Sequence, residues 1–272
     1  MSFKAACIQN SATPDIIRDI GVLTRLIHGA AAQGARFIAT PEYCAGLDTR
    51  DGLLYPVAAE EKDHPVLPPM VALAKELGIW LLIGSIGVKA SDGRTLNRSY
   101  MLKPDGGIAA RYDKIHMFDV DLGPGKVYRE SATIAPGNTA VISPCIEGRI
   151  GLSICYDLRF AALYRAYAQA GAEMLATPAA FTRMTGEAHW HVLQRARAIE
   201  NGAYVIAPCQ YGTLAGGSQC YGHSLIVDPW GRVLADGGGQ EGIIVAEIDL
   251  AQVTLTRNRI PSLRHDRPFT LG

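Results

Sequence analysis

Hydrophobic and polar positions alternate in short bursts along the chain, and several bursts run into stretches with a helical period. "FKAACIQ" (3–9) reads as a strand leading to a helix from Pro14. Thr13 is placed to cap that helix, and Ile16, Ile20, Leu23 and Ile27 fall on one apolar stripe. "ARFIAT" (35–40) is a second strand, and it delivers Pro41 and Glu42 at its end. A helix is expected over 65–77, stopped by Gly78. "IWLLIGSIGV" then reads as a strand, and "NRSYMLKPDGGIAARYDK" as a hairpin turning at 104–107.

A long loop is expected over 115–139, followed by "AVIS" and "RIGLSI" as strands. Cys155 and a charged turn come next, then a helix in "FAALYRAYAQAG" ended by Gly171. "AEMLATP" is a further strand, a helix is expected over 187–201, and "AYVIAP" and the hairpin "GHSLIVDPWGRVLAD" complete the body. The glycines of "DGGGQEG" (236–242) open no helix, so they read as a flexible hairpin rather than a phosphate loop. Strands alternating with helices in one half and forming hairpins in another predict α/β layers with mixed sheets. One domain over 1–272 is the economical organisation.

Composition narrows the class. With 272 residues, 48% of them hydrophobic, the chain can bury a large core without staples. Lysine plus arginine and aspartate plus glutamate are 26 each, which argues against a nucleic-acid or acidic-membrane surface. Wholly apolar runs such as 79–83 are too short to span a bilayer, and "MSFKAACIQN" carries no apolar signal segment. Six cysteines without a CxxC pair read as reduced thiols of a cytoplasmic protein. His189 and His191 are two apart, which puts them on different faces of a helix, and no HExxH occurs; a zinc site is not expected.

Three residues stand just past apolar strands: Glu42 after "FIAT", Lys114 after "GIAARYD" and Cys155 after "GLSI". Taken singly, each has a plain reading as a loop carboxylate, a surface lysine and a small buried hydrophobe. Ligands in α/β sheets gather beyond the carboxyl ends of strands, so the three can converge. Together they suffice for acyl transfer through a thioester. A free thiol needs a base or a positive neighbour to attack at neutral pH, a carboxylate in a partly dry pocket can shuttle its proton, and an ammonium can hold an oxyanion.

The surrounding motifs resemble the nitrilase superfamily of carbon–nitrogen hydrolases over nearly the whole chain. "TPEY", "YDKIHMFD" and "GLSICYDLRF" carry the matches to the family's Glu–Lys–Cys triad at Glu42, Lys114 and Cys155. "YRESATIAPG" matches the segment that supplies an auxiliary glutamate, here Glu130. "PAAFTRMTGEAHWHVLQRARAIENGAYVIAP", "YGHSLIVDPWG" and "RIPSLRHDRPF" look most like the Nit branch, amidases of deaminated glutathione and related ω-amides. Cys44 after "PEY" departs from the bulkier or polar residue expected there.

The resemblance implies a four-layer α-β-β-α sandwich, paired as a homodimer or homotetramer through helices around 160–170. It implies an oxyanion held by Lys114 and the Tyr156 backbone N–H, a small amide substrate, and no metal or organic cofactor. Arg159, in a position to read a substrate carboxylate or to pair with Asp157, is a substrate-binding candidate. Phe181, Thr185 and Tyr43 are others, and His116 is a weaker one. Three alternatives stay open: an N-carbamoyl amidase, an aliphatic amidase or nitrilase of the same superfamily, and a non-catalytic interaction protein on this fold. Tyr156 stands where the nitrilase branch usually carries tryptophan.

Overall fold

The computed structural model describes residues 2–50 and 53–272. Two mixed sheets are built from the alternating segments. In the first, Ser2–Gln9, Ala35–Ala39 and Trp80–Lys89 run parallel at the centre. Gly242–Asp249 closes one side antiparallel to Ser2–Gln9, and Thr95–Leu102 with Ile108–Asp113 continues the other. In the second sheet Gly148–Leu152, Met174–Ala176 and Tyr204–Ala207 are parallel, flanked by Val141–Cys145 and by the pair Leu225–Val227 and Val233–Asp236.

Period-two alternation sorts the side chains between two cores. Ala5, Cys7 and Leu82 pack in the core that also holds Ile150, Leu152 and Leu175 of the second sheet. Their neighbours Ala6, Ile8, Leu81 and Ile83 face a separate core with Leu23 and Ile27 of helix α1 (Ile16–Ala32) and Met70 and Leu73 of helix α2 (Leu67–Leu77). Helix α3 (Ala161–Gln169) and helix α4 (Arg183–Asn201) cover the other sheet with Tyr164, Tyr167 and Trp190. The order is helix, sheet, sheet, helix, the expected four-layer sandwich. Among the described residues no helix is long and apolar enough to cross a membrane.

Four local readings differ from the sequence expectation. Asp15, not Thr13, caps α1: its carboxylate accepts from the N–H groups of Ile17 and Arg18 at 3.1 and 3.0 Å. Thr13 is taken up by Asp19, which accepts from its hydroxyl at 3.0 Å. Helix α4 starts at Arg183 rather than 187, running straight through Gly186. That glycine is a packing requirement, because a Cβ there would lie 2.3 Å from the Tyr221 ring. The stretch 115–139 is not wholly loop; it holds a ribbon, Asp119–Asp121 with Val127–Arg129, and a short turn over Glu130–Ala132. Beyond the expected body, Gly242–Asp249 and helix α5 (Ala251–Arg259) complete the chain.

Candidate active site

Glu42 and Lys114 leave the first sheet at strand ends and Cys155 leaves the second, so the three meet where the two sheets' carboxyl ends face one cavity. Two local devices present them. Gly84 lets the Thr40–Pro41 backbone press against the neighbouring strand, since a Cβ there would sit 2.0 Å from the Thr40 carbonyl oxygen. Cys155 has φ +49°, a left-handed conformation that costs a non-glycine residue on the order of 1–3 kcal/mol. It opens a tight turn over Cys155–Arg159 that precedes α3.

Asp157, fully buried, fixes that turn. It accepts from the Ile154 N–H at 2.9 Å, the Tyr112 hydroxyl at 2.6 Å and the His116 N–H at 3.0 Å. His116 reaches it with Nδ1 at 2.7 Å and stacks on Phe160, which makes His116 part of the scaffold under the turn.

The charged groups form one buried cluster. Lys114 Nζ donates to Glu42 Oε1 at 3.0 Å and to Glu130 Oε1 and Oε2 at 2.7 and 2.8 Å. Glu42 accepts further from Asn97 Nδ2 at 2.9 Å and the Ala180 N–H at 2.8 Å, and Glu130 from the Phe118 N–H at 2.6 Å. Gln210 donates to the carbonyls of Glu42 and Tyr43 at 2.8 and 2.9 Å. Burial works against the Lys114 ammonium, yet the carboxylates of Glu130 and Glu42 outweigh it and hold its pKa well above the usual lysine value. Burial, helped by Glu42, drives the Glu130 carboxyl upward against the pull of Lys114. The Cys155 thiol is pushed well up, by burial first and then by the Glu42 carboxylate. At rest it is a neutral thiol, and it needs a base at the moment of attack.

Glu42, Lys114, Glu130 and Cys155 all line one open-mouthed cavity. Tyr156, Phe181 and Thr185 line it as well, whereas Tyr43 and Arg159 do not. Tyr43 is wholly buried behind the cluster with φ +45°. Arg159 does not pair with Asp157. Its guanidinium lies 5.7 Å from the Tyr156 ring and 5.6 Å from the Phe181 ring, with Nη2 3.3 Å from His189 Nδ1. Among the described residues its contacts are these rings and His189, with no carboxylate paired to it.

The sequence reading leaves out Asn97 and Gln210, and takes Asp157 only as a partner for Arg159. Gln210 follows the strand Tyr204–Ala207 and carried the same strand-end signal as Glu42. Asn97 sits inside a strand, where nothing in its spacing marks it.

The chain matches the family model described as carbon–nitrogen hydrolase over residues 4–258. It is 38% identical to a deaminated glutathione amidase of Synechocystis over 268 residues, 97% of both chains. It is also 38% identical to the human omega-amidase NIT2, with 98% of this chain and 95% of that one covered. Among solved structures, the NitFhit protein of C. elegans superposes with a TM-score of 0.85 at 32% identity over 98% of this chain; the chain spans 65% of that longer protein. Saccharomyces cerevisiae Nit3, a member of branch 10 of the nitrilase superfamily, superposes with a TM-score of 0.84 at 28% identity, covering 96% and 94%. The matched length and the near-complete coverage lead to one conclusion: the chain belongs to the carbon–nitrogen hydrolase family and is an amide hydrolase.

Proposed function

We propose that residues 1–272 form one catalytic domain that cleaves small ω-amides bearing a carboxylate, such as deaminated glutathione or a 2-oxo dicarboxylate monoamide, to acid and ammonia. The observation that carries the chemistry is the buried Lys114 ammonium held between Glu42 and Glu130 in the cavity that Cys155 lines.

Glu42 takes the thiol proton as Cys155 Sγ bonds to the amide carbon. Lys114 Nζ and the Tyr156 backbone N–H hold the oxyanion of the tetrahedral adduct. As the adduct collapses, the C–N bond breaks and Glu42 returns the proton to the departing nitrogen, releasing ammonia and leaving a thioester. Glu42 then takes a proton from water as the water oxygen attacks the thioester carbon. The C–S bond breaks, the thiolate regains the proton and the acid leaves. Glu130 positions Lys114 through its two short contacts.

Arg159 supports the acidic substrate. It is held by stacking against two rings of the cavity wall, with no carboxylate of its own, so a substrate carboxylate reaching it completes a charge-assisted pair. Phe181 packs the connecting chain, with Thr185 beside it. The same reading includes a homodimer or homotetramer: α4 leaves Val192 and Ile199 exposed, near the exposed Trp230. It also includes a reducing, cytoplasmic setting, which the six free thiols favour.

An ammonia-release screen over acidic, neutral and carbamoyl amides, run with wild type and Arg159→Ala, tests the substrate. Acidic ω-amides should lead in the wild type. Arg159→Ala should lose roughly ten- to a hundred-fold in kcat/KM on them, the size of one charge-assisted hydrogen bond at about 1.5–3 kcal/mol, and far less on neutral amides. A preference for neutral aliphatic amides sinks the ω-amide reading, and carbon dioxide release would mark a carbamoyl amidase.

A further inference from the structure

Outside the cavity, three potential ligand atoms converge from separate elements. His191 lies on α4, His223 follows the strand Gln219–Tyr221, and Asp236 ends the strand Val233–Asp236. His191 Nε2 is 3.0 Å from Asp236 Oδ2, and His223 Nδ1 is 2.9 and 3.2 Å from the two Asp236 oxygens. All the ligand atoms lie within 4.8 Å of one another.

The surroundings hold this arrangement in a strained form. His223 has φ +51°, sparsely populated for a residue with a Cβ. Its N–H donates to the Gly238 carbonyl at 2.7 Å, and its own carbonyl accepts from the buried Trp190 indole at 2.7 Å. Gly222 before it is also left-handed, and a Cβ there would sit 2.7 Å from the Gly238 oxygen. The Gly238 N–H donates to Asp236 Oδ1 at 2.9 Å. Gln9 clamps the same turn, donating to the carbonyls of Gly237, Gly238 and Gln240 while its Oε1 accepts from Ser224. The Tyr221 ring stacks on His223 at 4.4 Å. Strain supported on so many sides is characteristic of a functional position rather than a casual surface contact.

We propose that His191 Nε2, His223 Nδ1 and the Asp236 carboxylate form a site for one divalent first-row cation of the zinc class. Two imidazoles and one carboxylate are the donor set such ions favour over calcium or magnesium. The three side chains are 33%, 30% and 35% exposed, open enough for water to fill the remaining coordination position. Loading requires His191 Nε2 and His223 Nδ1 each to present a lone pair free of a proton.

Isothermal titration of Zn²⁺ into the Cys155→Ala chain, which removes the reactive thiol as a competing ligand, should give one equivalent per chain. X-ray absorption at the zinc edge should show only nitrogen and oxygen neighbours with imidazole scattering. His191→Ala, Asp236→Asn and His223→Asn (asparagine tolerates the left-handed backbone) should each weaken binding at least tenfold. His189→Ala, on the neighbouring face of α4, should leave it unchanged. Absence of binding below millimolar Zn²⁺, a sulfur neighbour in the spectrum, or an affinity indifferent to all three substitutions overturns the proposal. The spectrum is taken without touching the three ligands, so it decides even where a ligand variant folds poorly.

Discussion

Lys114 Nζ lies 3.0 Å from Glu42 Oε1 with both side chains almost wholly out of water, although the residues are 72 apart in sequence. Glu130 closes on the same ammonium from the other side. A buried cation between two carboxylates is costly to assemble and costlier to leave half-made, because removing one member strands a desolvated charge.

Lys114→Met therefore has two separable effects. It should lower stability by about 3–5 kcal/mol, since Glu42 and Glu130 lose their counter-charge. It should also cut turnover on the order of a hundred- to a thousand-fold, the usual cost of one oxyanion donor. Adding Glu130→Gln should recover part of the stability, read by urea denaturation, without restoring turnover. A folded Lys114→Met chain with wild-type turnover removes the lysine from the mechanism.

The left-handed Cys155 at the cavity wall bears on thiol reactivity. Of the six cysteines, Cys155 is 8% exposed and Cys220 5%, while the other four are sealed. Alkylation at neutral pH, followed by peptide mass spectrometry, should label Cys155 first, with activity lost in step. Because its pKa is raised, the uncatalysed reaction should speed up as pH rises. Glu42→Gln should slow labelling by a small amide-like reagent at neutral pH, since the amide cannot accept the thiol proton. Labelling that begins at another cysteine while activity persists contradicts the assignment.

The sealed thiols give a stability prediction of definite sign. Burial pushes Cys44 and Cys209 from 9.0 up to about 12, and Cys7 and Cys145 higher still. Their contribution is complete below the unfolded value near 9 and is lost as pH climbs from there toward the folded value. In that window the unfolded chain holds fewer protons, so stability should fall by about 1.4 kcal/mol per pH unit for each thiol. Melting temperature should accordingly drop steeply between about pH 9 and 11, and Cys44→Ala should flatten the slope. A flat alkaline profile would contradict this burial.

What the sequence disclosed follows physical range. Strand alternation and strand-end residues are local signals, so Glu42, Lys114 and Cys155 stood out, and the long motifs around the last two named the family. Features set by distant partners did not stand out. Thr13 reads as a good cap until Asp19 claims its hydroxyl, and the helix expected from 187 begins at Arg183, with the Tyr221 ring packed across Gly186. Asp157 reads as the partner of Arg159 two residues on, but the fold hands it to Tyr112 and His116. His191 shows no metal-ligand spacing along the chain, because His223 and Asp236 reach it only through the packing of a hairpin on α4.

The central claim, a thioester on Cys155 made with the help of Glu42 and Lys114, is tested most directly by stopping the reaction within its first turnover. An acidic ω-amide would be mixed with excess enzyme, quenched with acid, and the chain weighed intact and after digestion. The expected result is a mass gain equal to the substrate less ammonia, located on the peptide carrying Cys155, with one equivalent of ammonia released and no adduct in Cys155→Ala. Wild-type ammonia release by Cys155→Ala, or an adduct on any other residue, would contradict it.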